Sequence, residues 1–188
     1  MKVLLLNGSP RKNGCTYTAL NVVADTLKAE GIDAEVFQAG DPDMENVKAA
    51  AVKLKESDAL VVGSPVYWAS PTGQIIEFMD RLASVAGKDM FYKPAAAVAS
   101  ARRAGTTATL DVLTKYFSYH QMPVVSSCYW NMVHGNTPEE VMKDEEGIQI
   151  MRILGKNMAW LLKCIEAGKK AGVAVPEAED KIKTNFIR

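Results

Sequence analysis

Hydrophobic positions along the chain fall into short unbroken runs that alternate with stretches of helical spacing. Residues 3–6 (Val-Leu-Leu-Leu) form a continuous apolar run stopped by Gly8 and Pro10, the pattern of a strand buried on both faces. From 16 to 30 the apolar positions Leu20, Val23, Ala24 and Leu27 recur at helical spacing, and Gly31 closes the segment. Residues 34–37 make a second short strand. Asp41-Pro42-Asp43 then opens a helix to about residue 56, with Val47, Ala50, Ala51 and Leu54 on one side. A third strand at 59–62 ends at Gly63-Ser64-Pro65, and 74–83 carries a helical stripe of Ile75, Phe78, Met79 and Leu82. The pattern continues with a strand at 95–99, a helix at 106–119 and a fifth strand at 123–128. A polar stretch runs from there to about 144, followed by a long final helix through Ile148, Met151, Leu154, Met158, Leu162 and Ile165.

Strands alternating with helices predict a parallel sheet covered on both faces. Five such units fit the doubly wound order 2-1-3-4-5, which puts a ligand crevice at the carboxyl ends of the strands. Residues 1–172 are expected to form one domain, and 173–188 a charged, loosely held tail in which Phe186-Ile187 is the apolar pair able to pack.

Composition narrows the function without choosing it. The 188 residues carry 22 basic and 22 acidic side chains, so no basic footprint for nucleic acid and no strongly acidic docking surface is indicated. No apolar run is long enough for a membrane span, and the six-residue start is too short for a secretory leader, so a cytoplasmic protein is expected. Cys15, Cys128 and Cys164 make no CxxC pair and no metal-ligand spacing. His120 and His134 are too few and too isolated for zinc, and no metal site is expected.

Four loops would face the crevice. The first, Gly8-Ser9-Pro10-Arg11-Lys12-Asn13-Gly14-Cys15-Thr16, is rich in hydroxyls, basic, and opens a helix, where free N–H groups and the positive dipole end favour a phosphate. It is neither a P-loop nor G-x-G-x-x-G. The plain alternative is a strand–helix turn with Thr16 as the N-cap. The second, residues 64–73, places Tyr67 and Trp68 at the sheet mouth, where a flat ring would cover them or where both fold back over the core. Gly73 would permit close backbone approach. The third, 100–106, combines small residues with Arg102 and Arg103, either a second anion site or solvated charge. The fourth, 129–143, is long and bulky, as lids and subunit contacts are. Cys15 at a helix start could be acidified, but no partner base is visible in the sequence.

The first loop and Gly63-Ser64-Pro65-Val66-Tyr67-Trp68, followed by Gly73-Gln74 and Phe78-Met79-Asp80-Arg81, together resemble the NADPH-dependent FMN reductase and iron–sulfur flavoprotein family, of flavodoxin-like fold. The resemblance spans most of the chain. It implies FMN as cofactor, its phosphate at Ser9, Arg11, Asn13 and Thr16, and its isoalloxazine at Pro65, Tyr67, Trp68 and Gly73. The full candidate cofactor-binding set adds Gly14, Cys15, Val66, Ser100, Arg102 and Gly105, with no residue in a catalytic role. It also implies NADPH or NADH as reductant, a small-molecule electron acceptor, and a homodimer or homotetramer to which the 129–143 loop contributes. The iron–sulfur branch carries a cysteine cluster before its third strand, whereas residues 39–57 contain no cysteine, so the chain resembles the cluster-free branch. Two other readings stay open: an FMN electron carrier not reduced by NAD(P)H, and a non-enzymatic phosphate-ligand binder of the same fold.

Overall fold

A computed structural model describes residues 1–188 except 178, 181, 185, 187 and 188. The elements in chain order are β1 (Lys2–Asn7), α1 (Cys15–Ala29), β2 (Asp33–Gln38), α2 (Met44–Lys55), β3 (Ala59–Tyr67), β4 (Ser70–Pro71), α3 (Gly73–Ala86), β5 (Ala95–Ala101), α4 (Thr106–Tyr119), β6 (Met132–His134), α5 (Pro138–Val141) and α6 (Glu145–Lys170). Parallel strands run in the order β2-β1-β3-β5-β6, and β4 is a two-residue antiparallel partner of β3. Leaving out that hairpin arm, this is the flavodoxin-like order 2-1-3-4-5, with helices on both faces.

The alternation within each buried strand builds two separate cores. Val3, Leu5, Val61 and Val98 face α1 and α6, while Leu4, Leu6, Leu60 and Val62 face α2, α3 and α4. Strands apolar on both faces are what a doubly covered parallel sheet requires. The alanines of β5 divide the same way, Ala96 to one side and Ala95, Ala97 and Ala99 to the other.

The fifth parallel strand is not where the sequence places it. Residues 123–128 touch the sheet through one bridge, Ala95 to Val124, with Val125 N–H donating to the Ala95 carbonyl at 2.8 Å. The chain then leaves. The Ser126 carbonyl accepts from Asn157, and the Ser127 hydroxyl donates to the Ile150 carbonyl, both on α6. It rejoins at Met132–His134, paired with 99–101. Between the two, the Asn131 side-chain amide donates to the Ala97 carbonyl at 3.0 Å, supplying the ladder bond that strand backbone would otherwise make.

The tail is exposed wherever it is described, and Phe186 is 92% exposed; Ile187 lies outside the described residues. Among the described residues, no helix is long and apolar enough to cross a membrane.

Candidate functional site at the carboxyl ends of the strands

The β1–α1, β3–β4, β5–α4 and post-β6 turns converge at one end of the sheet, around the point between β1 and β3 where the strand order reverses. They enclose a cleft of about 240 Å³. Ser9, Arg11, Gly14 and Cys15 line it from the first turn, Pro65, Val66 and Tyr67 from the end of β3, and Ser100, Ala101 and Arg102 from the end of β5. Gly135 and Asn136 close it from beyond β6.

Helix capping distinguishes this end of the molecule. Asp43, Thr72, Thr137 and Asp144 cap α2, α3, α5 and α6 with side-chain oxygens. The caps of α1 and α4 are glycines, Gly14 and Gly105, with no side chain to offer their first-turn N–H groups. The start of α1, at Gly14 and Cys15, lines the cleft beside Arg11, whereas the start of α4 does not line it and Arg102 reaches it from the end of β5. Unsatisfied N–H groups, the positive dipole end and a guanidinium together make an anion site.

Nine of the fourteen sequence-derived candidates line the cleft: Ser9, Arg11, Gly14, Cys15, Pro65, Val66, Tyr67, Ser100 and Arg102. The other five sit differently. Thr16 is the second residue of α1, not its cap; it is buried, and its hydroxyl shares a 2.7 Å hydrogen bond with that of Ser100. The pair ties α1 to β5 beneath the cleft. Asn13 is exposed in the turn. Trp68 neither folds back over the core nor lines the cleft. It occupies a two-residue hairpin turn with Ala69, at φ 53° and 57°, and is 98% exposed. Gly73 opens α3 outside the lining, and a Cβ there would meet no protein atom within 4 Å. Gly105 does need its lack of a side chain. Its φ is +105°, and a Cβ would lie 2.7 Å from the Cα of Ala69 and from Val66, where the hairpin presses on the start of α4.

Sequence reasoning missed Ala101, Gly135 and Asn136 in the lining and Asn7 and Gln38 behind it. Fully buried Asn7 accepts from Ser9 N–H and donates to the Lys12 carbonyl, shaping the first turn. The available signal was a polar residue ending an apolar run.

Burial pushes the pKa of the Cys15 thiol up, ahead of the lowering by its backbone hydrogen bond and by Arg11, and its Sγ lies 3.7 Å from the Gly135 carbonyl. Among the described residues, the ionisable side chains of the cleft are Arg11, Cys15, Tyr67 and Arg102, a set that lacks a general base. A larger groove of about 690 Å³ between α3 and α4 is walled by helix flanks, including Ile76, Val112 and Tyr119, and contains no helix start.

The sequence of residues 1–137, which includes every residue lining the cleft, matches the model of the NADPH-dependent FMN reductase family. The chain belongs to this family. An iron-sulfur flavoprotein of Methanocaldococcus jannaschii is 28% identical over 192 residues, covering 88% of this chain and all of the relative. Among solved structures, an archaeal flavodoxin superposes with a TM-score of 0.67 at 19% identity, covering 87% of this chain and 99% of its own. A flavoenzyme NAD(P)H:(acceptor) oxidoreductase of Paracoccus denitrificans superposes with a TM-score of 0.69 at 17% identity, covering 87% of this chain and 97% of its own. These structures establish the fold, and the family establishes an oxidoreductase with FMN as cofactor. In the segment between β2 and β3, where the resemblance placed the cluster cysteines of the iron–sulfur branch, this chain folds α2 without a cysteine. Among the described residues, no group of three or more His, Cys, Asp or Glu is placed to hold a metal ion.

Proposed function

We propose that the protein takes hydride from NAD(P)H onto FMN held in the cleft and passes the electrons to a small-molecule acceptor such as a flavin or quinone. The observation that carries this reading is the glycine-capped start of α1 facing the cleft beside Arg11, with Arg102 reaching the same cleft from the end of β5. The donors suit a phosphorylated ligand: N–H groups of α1, the Ser9 hydroxyl and the Arg11 guanidinium for the phosphate, and the Pro65–Tyr67 backbone and side chains as a wall for the ring. FMN, when bound, supplies the two-electron chemistry itself.

The chain's own residues then have three tasks. Arg11 and the α1 start hold the anion. Val66 and Tyr67 exclude water from one side of the ring. Arg102, just past the end of β5, attracts a second anionic group, which suits the phosphates of a nicotinamide cofactor. Among the described residues the cleft holds no general base, which agrees with chemistry carried by the cofactor, where positioning is the main demand on the protein. We propose further that residues 1–172 act as one FMN-binding domain with 173–188 as its tail, and that the chain assembles as a homodimer or homotetramer. Support for assembly comes from Trp68, Tyr129 and Trp130, bulky rings left largely exposed.

Anaerobic absorbance titration of the FMN-reconstituted protein with NADPH and, separately, NADH tests the proposal. Bleaching of the bound flavin within seconds is expected with at least one of them. Tightly bound FMN that stays oxidised with both would make the protein an electron carrier instead.

A further inference from the structure

We propose that Asn7 and Gln38, neither of which reaches the cleft, form a two-amide clamp that fixes the β1–α1 turn and thereby sets its selectivity for a phosphorylated flavin. The inference rests on the assignment of that turn to the FMN phosphate. Asn7 ends β1, fully buried, and Gln38 ends the neighbouring edge strand β2. Asn7 Nδ2 donates to the Lys12 carbonyl at 3.2 Å, to the Arg11 carbonyl at 3.5 Å and to Gln38 Oε1 at 2.8 Å. Its Oδ1 accepts from Ser9 N–H at 3.2 Å. Gln38 Nε2 donates to the Ser9 carbonyl at 2.6 Å.

Backbone carbonyls can only accept, so the orientation of both amides is fixed. Gln38 must turn its nitrogen to Ser9, which leaves its oxygen for Asn7. The turn is therefore gripped at residues 9, 11 and 12 by two side chains that also grip each other. Gly40 presses from behind, where a Cβ would stand 2.1 Å from the Ser9 carbonyl oxygen.

What the clamp holds is the binding geometry. Ser9 and Arg11 are the two turn residues that reach the cleft with polar groups, and the clamp bonds the backbone of both. A turn held in shape before the anion arrives spares the ordering entropy that a loose loop would lose on binding. Removing the clamp should then weaken contacts to the phosphate end and leave contacts from β3 and β5 to the ring untouched. Asn7 and Gln38 are positioning residues in this sense.

The test compares FMN with riboflavin, which lacks the phosphate, by quenching of flavin fluorescence on titration with protein. Wild type, Gln38→Met and Asn7→Asp are measured, each checked for folding by circular dichroism. Gln38→Met removes both amide bonds at a partly exposed edge position. Asn7→Asp keeps the acceptor for Ser9 N–H and loses the donors. For each variant, FMN affinity should fall about tenfold, while riboflavin affinity stays within about twofold of wild type. Equal losses for the two flavins, or an unchanged preference in folded Gln38→Met, would overturn the clamp. A wild-type protein with no preference for FMN over riboflavin would overturn the phosphate assignment beneath it, before any variant is made.

Discussion

The β1–α1 and β3–α3 connections lead from neighbouring strands into helices of similar length, 15 and 14 residues, yet their helix starts are built in opposite ways. Buried Thr72 closes the second. Its Oγ1 accepts from Ile75 N–H at 3.2 Å and donates to the Gly8 carbonyl at 3.0 Å, while its own N–H donates to Ser64 Oγ. Every polar atom of Thr72 has a partner within the chain, its carbonyl accepting from Ile76 N–H. The first connection is held just as firmly from behind, by Asn7 and Gln38, but its helix start is left open under Gly14. A start that satisfies itself contributes stability. One that is rigid and unsatisfied has its donors available for a ligand.

Mutations at the two starts should separate these roles. Thr72→Val keeps the shape but strands the Ile75 donor and the Gly8 acceptor, and should lower folding stability by about 2–3 kcal/mol, measured by urea denaturation of the apoprotein. The Ser9→Ala, Thr16→Ala double variant should do the reverse, weakening FMN binding about tenfold. Thr16 would act there indirectly, through its bond to Ser100. Unchanged FMN affinity in that variant would remove the first turn from the phosphate site. The smallest effect is expected far from both, at Glu35 on β2. The Lys53 hydrogen bond, and then Lys2, hold its carboxylate pKa below the ordinary range. A lowered folded pKa contributes stability above the unfolded value and loses it as pH falls through the folded one. Because Glu35 is partly exposed, Glu35→Gln should remove no more than about 1 kcal/mol of that acid dependence. Denaturation midpoints at neutral and acid pH would show it, with FMN affinity at neutral pH unaltered.

The two connections also differ in how far the sequence exposed them. The first was legible because its hydroxyls, glycines and arginine follow an apolar run too short and too uniform to be anything but a buried strand. The plain alternative, Thr16 as N-cap, is replaced by Gly14, because Thr16's place in the first turn of α1 puts it on the inner face with Ala19, Leu20 and Val23. The second was legible as a loop with aromatics, but not as a hairpin. Trp68 and Ala69 both take positive φ, which their residue types disfavour and which a sequence pattern therefore does not suggest. One strand error propagated to the site. The apolar start of 123–128 drew the fifth strand there, whereas the polar Ser126 and Ser127 bond to α6 and the ladder resumes at Met132. Once the strand ends at His134, Gly135 and Asn136 become its carboxyl-end turn, and both line the cleft. The order of the other four strands followed from the strand–helix alternation and the doubly wound arrangement it fits, and strands apolar on both faces called for cover on each side.

The central claim is that the open start of α1 is the phosphate site, and closing it tests that claim most directly. Gly14→Asp would give α1 the kind of cap α2 already has; φ there is −91°, and the nearest atom to a new Cβ is Arg11 Cβ at 3.3 Å. FMN affinity and apoprotein stability are measured on the same preparation. The account predicts a folded apoprotein more stable by about 0.5–1 kcal/mol, with FMN binding weakened about a hundredfold or more as a carboxylate occupies the anion's place. FMN bound as tightly as by wild type would contradict it.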